Sequence, residues 1–201
     1  MHYPLWKRTE DIIGSICGMI LILPFLPFII LAIKIEYPHA PFIVRLARVS
    51  EGKLIWVYKF RNMVPEADKI KDELLHLNER KDGPFFKIAK DPRVTKVGRV
   101  LRKFRIDEFP QLINVLRGEL SLVGPRPHEP EEVKRYPDKY NNLPLARAGV
   151  TGLSQVNGAS SLPFLKELEL DEFYIQNASL SLDAKIIFKT LSILFSDPTA
   201  V

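Results

Sequence analysis

The sequence predicts an α+β fold, mostly helical with a few short strands, behind an N-terminal membrane segment. Three observations predict it. Residues 12–33 carry no charge, later stretches repeat apolar residues at helical spacing, and the β-rich or glycine-punctuated segments are short. We expect residues 1–40 to form a membrane anchor and residues 41–201 to form one domain.

Composition narrows the class of protein. Apolar residues make up 46% of the chain and charged residues 26%, which is typical of a folded domain. The net charge of +5 indicates a polyanionic partner: nucleic acid, anionic lipid or a phosphorylated substrate. The lone Cys17 excludes an internal disulfide or a zinc cluster, and the four histidines lack metal-ligand spacing.

The anchor is long enough to cross a bilayer core, which needs about 20 apolar residues. Pro24 and Pro27 lie within it, and each removes a helical hydrogen bond, so we expect a kink or a break there. Cations flank both ends, Lys7 before and Lys34 after, so the positive-inside tendency gives no orientation. Two alternatives stay open from the residues: a kinked spanning helix, or a helix–break–helix that enters and leaves by one face.

The elements after the anchor follow from local signals. Residues 49–63 predict a strand or hairpin with a turn at Glu51 and Gly52. Pro65 begins a predicted helix over residues 65–81, whose apolar side is formed by Ile70, Leu74, Leu75 and Leu77.

A basic helix is predicted within residues 91–106, and a second helix starts near Pro110 and ends at Gly118. Residues 121–130 form a loop rich in glycine and proline, and residues 146–158 predict a short strand. Two amphipathic helices are predicted after residue 162.

Asp107 and Glu108 are adjacent carboxylates between the basic helix and the next one. One interpretation is that they offset the helix dipole, which stabilises by about 0.3–1 kcal/mol. The other is chemical, because an ionised carboxylate at this place suits a nucleophile or a Mg²⁺ ligand. The doublet alone does not decide.

Arg126 lies between Pro125 and Pro127, so its backbone is constrained on both sides. A guanidinium held in this way suits bidentate phosphate binding, although a surface turn explains the same residues. Lys59 and Arg102 are further candidate phosphate ligands, with solvated surface cations as the alternative.

Taken together, several stretches resemble the bacterial sugar transferase family, the monotopic phosphoglycosyl transferases. They are "YKFRNM", "DPRVTKVGRVLRKFRIDEFPQLINVLRGELSLVGPRP", "AGVTGLSQVNG" and the tail "LDEFYIQNASLSLDAKIIFKTL". They occur in the family's order and run from the anchor almost to the last residue.

The resemblance implies an enzyme that moves a sugar-1-phosphate from a UDP-sugar donor to polyprenyl (undecaprenyl) phosphate and releases UMP. Asp107 would be the nucleophile, Glu108 its partner in a catalytic dyad, and both would hold Mg²⁺. Lys59, Arg102 and Arg126 match the positions expected to bind phosphates.

Three residues, Gly152, Gln155 and Asn157, fall in the motif nearest the nucleotide in the family. The resemblance also implies a re-entrant membrane helix broken at Pro24, with amphipathic helices in the interface. Residues 41–201 would then be a cytoplasmic catalytic domain, monotopic on the inner membrane and in contact with membrane lipid. Two questions stay open: whether the protein forms a homodimer, and whether it is a natural minimal form or a fragment of a longer member.

Three other hypotheses compete with the covalent route. The same substrates can react in a ternary complex in which the two acids only bind Mg²⁺. A non-enzymatic basic membrane scaffold explains the anchor and the charge but not the acidic pair. We do not expect a nucleic acid as partner, because the cations are not interleaved with aromatic residues and nucleic-acid binding would leave the anchor unexplained.

Overall fold

The computed structural model describes residues 3–158 and 161–196, so the outermost residues of both predicted domains lie outside it. Helices predominate and the strands are few and mostly short, which confirms the predicted fold class at that level. The α-helices are α1 Leu5–Ile22, α2 Leu26–Glu36, α3 Lys96–Lys103, α4 Gln111–Arg117, α5 Pro130–Val133, α6 Leu153–Val156, α7 Phe164–Asn177 and α8 Leu180–Ser196. The strands are β1 Ile43–Ser50, β2 Lys53–Phe60, β3 Ser121–Val123 and β4 Gly149–Thr151.

The apolar N-terminal segment is helical on both sides of a short interruption. A single 3₁₀ turn, Leu23–Phe25, separates α1 from α2, and Pro24 lies in this turn as expected. From Leu5 to Glu36 the segment is long and apolar enough to cross a membrane by length and composition. Most of its side chains are not covered by the rest of the protein.

Both ends of this segment contact the rest of the chain. Arg8 donates hydrogen bonds to the carbonyl oxygens of Val115 (2.7 Å) and Leu116 (2.6 Å), near the end of α4. Glu36 accepts from the backbone N–H groups of Lys96 (2.8 Å) and Val97 (3.1 Å), at the start of α3. The segment therefore holds the two helices that flank the acidic pair.

The strands form two separate two-stranded sheets. β1 and β2 pair antiparallel through a tight turn in which Glu51 and Gly52 both have positive φ, so the predicted turn is confirmed. β1 begins at Ile43, before the range in which a strand or hairpin is predicted. β3 and β4 pair parallel, with Ser121 opposite Gly149.

The predicted helix over residues 65–81 is wrong. The chain there forms turns and then a 3₁₀ helix, Asp72–Leu77. Ile70, Leu75 and Leu77 of its apolar side are exposed. Because most helix stability in proteins comes from packing an apolar face, a stripe with no surface to pack on does not maintain an α-helix.

Ile106 and Phe109, on either side of the acidic pair, pack against a core formed by Ile29, Ile33, Phe60 and Leu101. A second core lies between the hairpin and α4. Val57, Val115, Leu120 and Ala148 are buried together and pack the hairpin against α4 and the parallel strands. α7 and α8 confirm the two helices predicted after residue 162, and Ile186 of α8 is buried against β3 and α7 residues.

Candidate active site

The two carboxylates lie in a 3₁₀ turn, Ile106–Glu108, immediately before α4. Arg105, which precedes the turn, has φ 52° and lies in the left-handed region. A non-glycine residue there costs on the order of 1–3 kcal/mol, and such strain concentrates at functional sites. Among the described residues no side chain forms an N-cap hydrogen bond to α4, so neither carboxylate caps this helix, and the dipole interpretation stays a prediction.

Side chains from the end of β2 and the loop after it hold the pair. Lys59 Nζ lies 2.6 Å from Glu108 Oε1 and 3.9 Å from Asp107 Oδ2. Asn62 Nδ2 donates to Asp107 Oδ2 at 2.7 Å. Asp107 is 4% exposed, whereas the Glu108 side chain is 25% exposed.

The two carboxyl groups differ in their electrostatics. Burial raises the pKa of Asp107, and the charge of Glu108 adds to the rise, while Lys59 and Arg102 oppose it. For Glu108, burial also acts to raise the pKa, but Lys59 and Arg126 outweigh it and bring the pKa to about 2. Glu108 is therefore ionised at neutral pH, and Asp107 is the carboxyl group that binds a proton more readily.

A cleft of about 170 Å³, partly open to solvent, adjoins Glu108. Its walls carry both signs of charge, together with the aromatic rings of Phe85 and Phe86. The cations are Arg48, Lys59, Arg80, Lys87 and Arg126, and the acids are Glu108, Glu129, Glu132 and Glu167. Such a cleft suits an anionic ligand that also carries hydroxyl groups.

The Arg126 loop is rigid for reasons beyond its prolines. Gly124 N donates to Thr151 O at 2.9 Å, and Gly149 N donates to Pro125 O at 2.7 Å, so the loop is tied to β4. Arg126 N also donates to Asp171 Oδ2 of α7 at 3.3 Å. The Arg126 side chain is exposed at the cleft wall.

The structure brings Asp107, Glu108 and Lys59 together, and Arg126 and Gln155 line the adjoining cleft. Arg102 is not among the cleft-lining residues; it approaches Asp107 from α3, where Nη2 lies 3.4 Å from Asn62 Oδ1.

Gly152 and Asn157 are not among the residues that line the cleft. A Cβ on Gly152 would lie 2.1 Å from Gly124 O, so glycine there permits close backbone packing. Asn157 Oδ1 accepts from Lys189 Nζ at 2.8 Å, on α8.

Sequence reasoning missed three residues of the site: Asn62, Arg48 and His128. Asn62 stands in the quoted "YKFRNM" stretch but was given no role. Arg48 is on β1, a strand that was not predicted as such. His128 is buried, stacks on Phe85 with ring centroids 4.4 Å apart, and its Nε2 has no hydrogen-bond partner among the described residues.

Acidic and basic side chains round one cleft are compatible with a phosphoryl-transfer site, which relies on positioning and charge stabilisation. The family model for Bacterial sugar transferase matches residues 2–197, and the chain belongs to that family.

Three relatives illustrate the similarity. The chain is 41% identical over 195 residues to the "Undecaprenyl-phosphate galactose phosphotransferase" of Salmonella typhimurium, covering 94% of this chain and 40% of the relative. It is 39% identical over 197 residues to the "UDP-glucose:undecaprenyl-phosphate glucose-1-phosphate transferase" of Escherichia coli, covering 93% of this chain and 39% of the relative. With the "Exopolysaccharide production protein ExoY" of Rhizobium meliloti it shares 34% over 188 residues, 92% of this chain and 83% of the relative. The chain thus spans about two fifths of the first two relatives.

Proposed function

We propose that this protein transfers a sugar-1-phosphate from a UDP-sugar to polyprenyl (undecaprenyl) phosphate and releases UMP, as a membrane step of glycoconjugate synthesis. The observation that carries the proposal is the acidic pair bound by Lys59, with Glu108 in the wall of a cleft that five cations and four acids line. The names of the relatives from Salmonella and Escherichia support the donor and acceptor classes.

In the proposed first step, a carboxylate oxygen of Asp107 attacks the β-phosphorus of the UDP-sugar. The bond from that phosphorus to the bridging oxygen breaks, UMP leaves with the electron pair, and an acyl phosphate joins Asp107 to the sugar. Asn62 orients the attacking carboxylate, and Lys59 and Arg126 offset the negative charge of the diphosphate.

In the second step, an oxygen of polyprenyl phosphate attacks the same phosphorus. The acyl–phosphate bond breaks, Asp107 returns as a carboxylate, and the product is a sugar diphosphate on the lipid. In this proposal Arg102 binds the acceptor phosphate. Support comes from α3, which carries Arg102 to Asp107 from outside the cleft and packs against α2 of the apolar segment.

Asp107 and Glu108 fit a Mg²⁺ ion that is shared with a substrate. Among the described residues no group of three or more acidic, histidine or cysteine side chains is arranged so that it could hold a metal ion by itself. Mg²⁺ at phosphate sites commonly takes one or two carboxylates and completes its shell with phosphate oxygens and water, which matches this pair. The ion would supply charge stabilisation for the leaving UMP.

Gln155 supports a nucleotide end in the cleft. Its side chain is buried, lines the cleft and has an Oε1 atom with no hydrogen-bond partner among the described residues. A buried acceptor without a partner costs about 1–3 kcal/mol, so an N–H or O–H donor of a bound nucleotide would relieve that cost. Gly152 and Asn157 would support this residue only through the backbone of the same segment.

We also propose that the anchor is re-entrant at Pro24 and that the domain is monotopic on the cytoplasmic face of the inner membrane. Support comes from its two ends, since Arg8 and Glu36 both contact helices of the same domain. Exposed apolar side chains at the end of α3 and on α8, such as Phe104 and Phe188, would lie in lipid.

This topology is testable with single cysteines. In a Cys17→Ser background, Leu5→Cys and Ile35→Cys place one thiol at each exposed end of the segment. With an impermeant maleimide, a re-entrant anchor gives labelling of both positions from the cytoplasmic face. Labelling of the two positions from opposite faces would show a spanning helix.

A ternary-complex route to the same products is the second candidate. It is favoured by the position of Asp107, which is 4% exposed and is not among the residues that line the cleft, whereas a nucleophile must reach the phosphorus of the donor. In this route Asp107 and Glu108 would only hold Mg²⁺ and no covalent species would form.

Intact-protein mass distinguishes the two routes. The protein is incubated with Mg²⁺ and a panel of UDP-sugars without polyprenyl phosphate, beside Asp107→Asn. A gain of one sugar-phosphate in the wild type alone supports the covalent route. No adduct, but UMP release once polyprenyl phosphate is added, supports the ternary complex, and no UMP in either assay contradicts the proposed reaction.

A further inference from the structure

Arg48 of β1 lies on the same face of the hairpin as Lys59. Residues directly opposite each other in an antiparallel pair point to one side, and side chains alternate along each strand. Arg48 is opposite Ile55, and Lys59, four residues on from Ile55, is therefore on that side as well. Val57 lies between them on the same face, and Arg48, Val57 and Lys59 all line the cleft.

The described residues use little of the hydrogen-bonding capacity of Arg48. A guanidinium has five N–H donors, and one hydrogen bond is formed, from Nη1 to the carbonyl oxygen of Ala47 at 2.7 Å. Glu129 Oε1 is 3.6 Å from Nη1, while the other oxygen of Glu129 accepts from Lys71 Nζ at 2.9 Å. The side chain is 20% exposed and lines the cleft, so its remaining N–H groups are open to a ligand or to water.

A bound anion would stabilise the charged form of Arg48. Burial lowers the pKa of the Arg48 guanidinium and the nearby charge of Arg126 adds to this, with Glu129 and Glu132 opposing it. A phosphate would supply both the charge and the planar pair of acceptors that a guanidinium binds best.

The position of Arg48 selects between the phosphates of the two substrates. The acceptor has an apolar tail, so its phosphate arrives from the side of the anchor. None of the residues that line the cleft belongs to α1 or α2, whereas Phe85, His128 and Gln155 line it with Arg48. The cleft is therefore the donor side of the acidic pair.

We propose that Arg48 binds the phosphate of the UMP half of the donor. Arg48 and Arg102 then lie on opposite sides of the acidic pair. The inference rests on the proposed function and adds to it a nucleotide-phosphate ligand on the hairpin. Arg48 then holds UMP as it leaves, while Lys59 and Arg126 act at the transferred phosphoryl group.

Binding of UDP tests the inference without turnover. UDP is titrated into the wild type and into Arg48→Gln, Arg48→Lys and Arg45→Gln in detergent with Mg²⁺. Arg45 is the matched control, because it is exposed on the same strand and points to the opposite face. Loss of hydrogen bonds to a charged group predicts a dissociation constant raised about 10- to 100-fold in Arg48→Gln. Arg48→Lys should fall between, and Arg45→Gln should match the wild type.

Steady-state kinetics separates this inference from the proposed function. We expect Arg48→Gln to raise KM for the UDP-sugar and to leave KM for polyprenyl phosphate unchanged. The inference is overturned if Arg48→Gln binds UDP as tightly as the wild type does, or if only its KM for polyprenyl phosphate rises. The proposed function still stands in that case, provided that the wild type releases UMP. Absence of UDP binding by the wild type overturns both. Unfolding midpoints show whether each variant is folded. If Arg48→Gln is not folded, Arg48→Lys replaces it in both measurements.

Discussion

Lys59 Nζ lies 2.6 Å from Glu108 and 3.9 Å from Asp107, so the stronger ion pair belongs to the carboxylate that is not the proposed nucleophile. The consequence is a division between adjacent acids. Glu108, with a pKa of about 2, stays charged, whereas burial raises the pKa of Asp107. One cation thus stabilises Glu108 as an anion and still lies close enough to Asp107 to favour its ionised form.

Replacing Lys59 should therefore lower activity strongly. We expect Lys59→Gln to reduce the rate of UMP release by about 100-fold or more, the loss seen when one preorganised charge-stabilising donor is removed. Lys59→Arg, which keeps the charge, should retain part of the rate. Lys53→Gln is the control, because Lys53 is exposed on the same strand. A wild-type rate in Lys59→Gln would contradict this role.

The stability of the protein should depend on pH through Asp171. This carboxyl group accepts hydrogen bonds from Ser154 Oγ (2.7 Å) and Arg126 N (3.3 Å), yet burial raises its pKa to about 7. Between about pH 4 and 7 the folded protein holds a proton that the unfolded chain releases. Stability therefore falls as pH rises through this window, by up to about 1.4 kcal/mol per pH unit from this one group.

Asp171→Asn should remove that dependence. We expect its free energy of unfolding, measured at several pH values, to fall less steeply than that of the wild type between pH 4 and 7. Asp138→Asn is a control at an exposed aspartate. Equal slopes in the wild type and Asp171→Asn would show that Asp171 does not titrate in this range.

The sequence predicted the parts of the site that local signals encode. The turn at Glu51 and Gly52 and the helix end at Gly118 follow from the φ preferences of glycine and tight turns, and the structure has both. At Pro24 the structure has a 3₁₀ turn between α1 and α2, and the re-entrant path of the segment stays a prediction. Arg48 was not predicted, because its place beside Lys59 depends on the pairing of β1 with β2.

Partners that are distant in the chain were not predictable either. Asn62 and Asp107 are 45 residues apart and Arg126 and Asp171 are also 45 residues apart, and no local pattern joins them. The helix expected over residues 65–81 failed for a related reason, since periodicity shows an apolar stripe but not whether a surface exists to cover it.

The contact of α3 with Asn62 gives a prediction about packing. A Cβ on Gly98 would lie 2.0 Å from the carbonyl oxygen of Asn62 and 2.6 Å from its carbonyl carbon. Since Asn62 donates to Asp107, Gly98→Ala must displace either α3 or the backbone that holds the acidic pair. We expect a destabilisation of about 1–3 kcal/mol, as for other overpacked sites, with reduced UMP release. Arg99→Ala, at an exposed position of the same helix, should change neither quantity.

The anchor should contribute to the site as well as to membrane attachment, and Glu36 is where this is measurable. Its two oxygens accept from the N–H groups of Lys96 and Val97, which would otherwise be unpaired at the start of α3. Removing such a cap costs about 1 kcal/mol, so Glu36→Ala should lower the unfolding midpoint in detergent by about 2–4 °C. Because α3 also carries Arg102, UMP release should fall, and KM for polyprenyl phosphate should rise more than KM for the donor. Glu36→Gln keeps one acceptor oxygen and should lie between; an unchanged midpoint and rate in Glu36→Ala would show that this end of the anchor does not support the site.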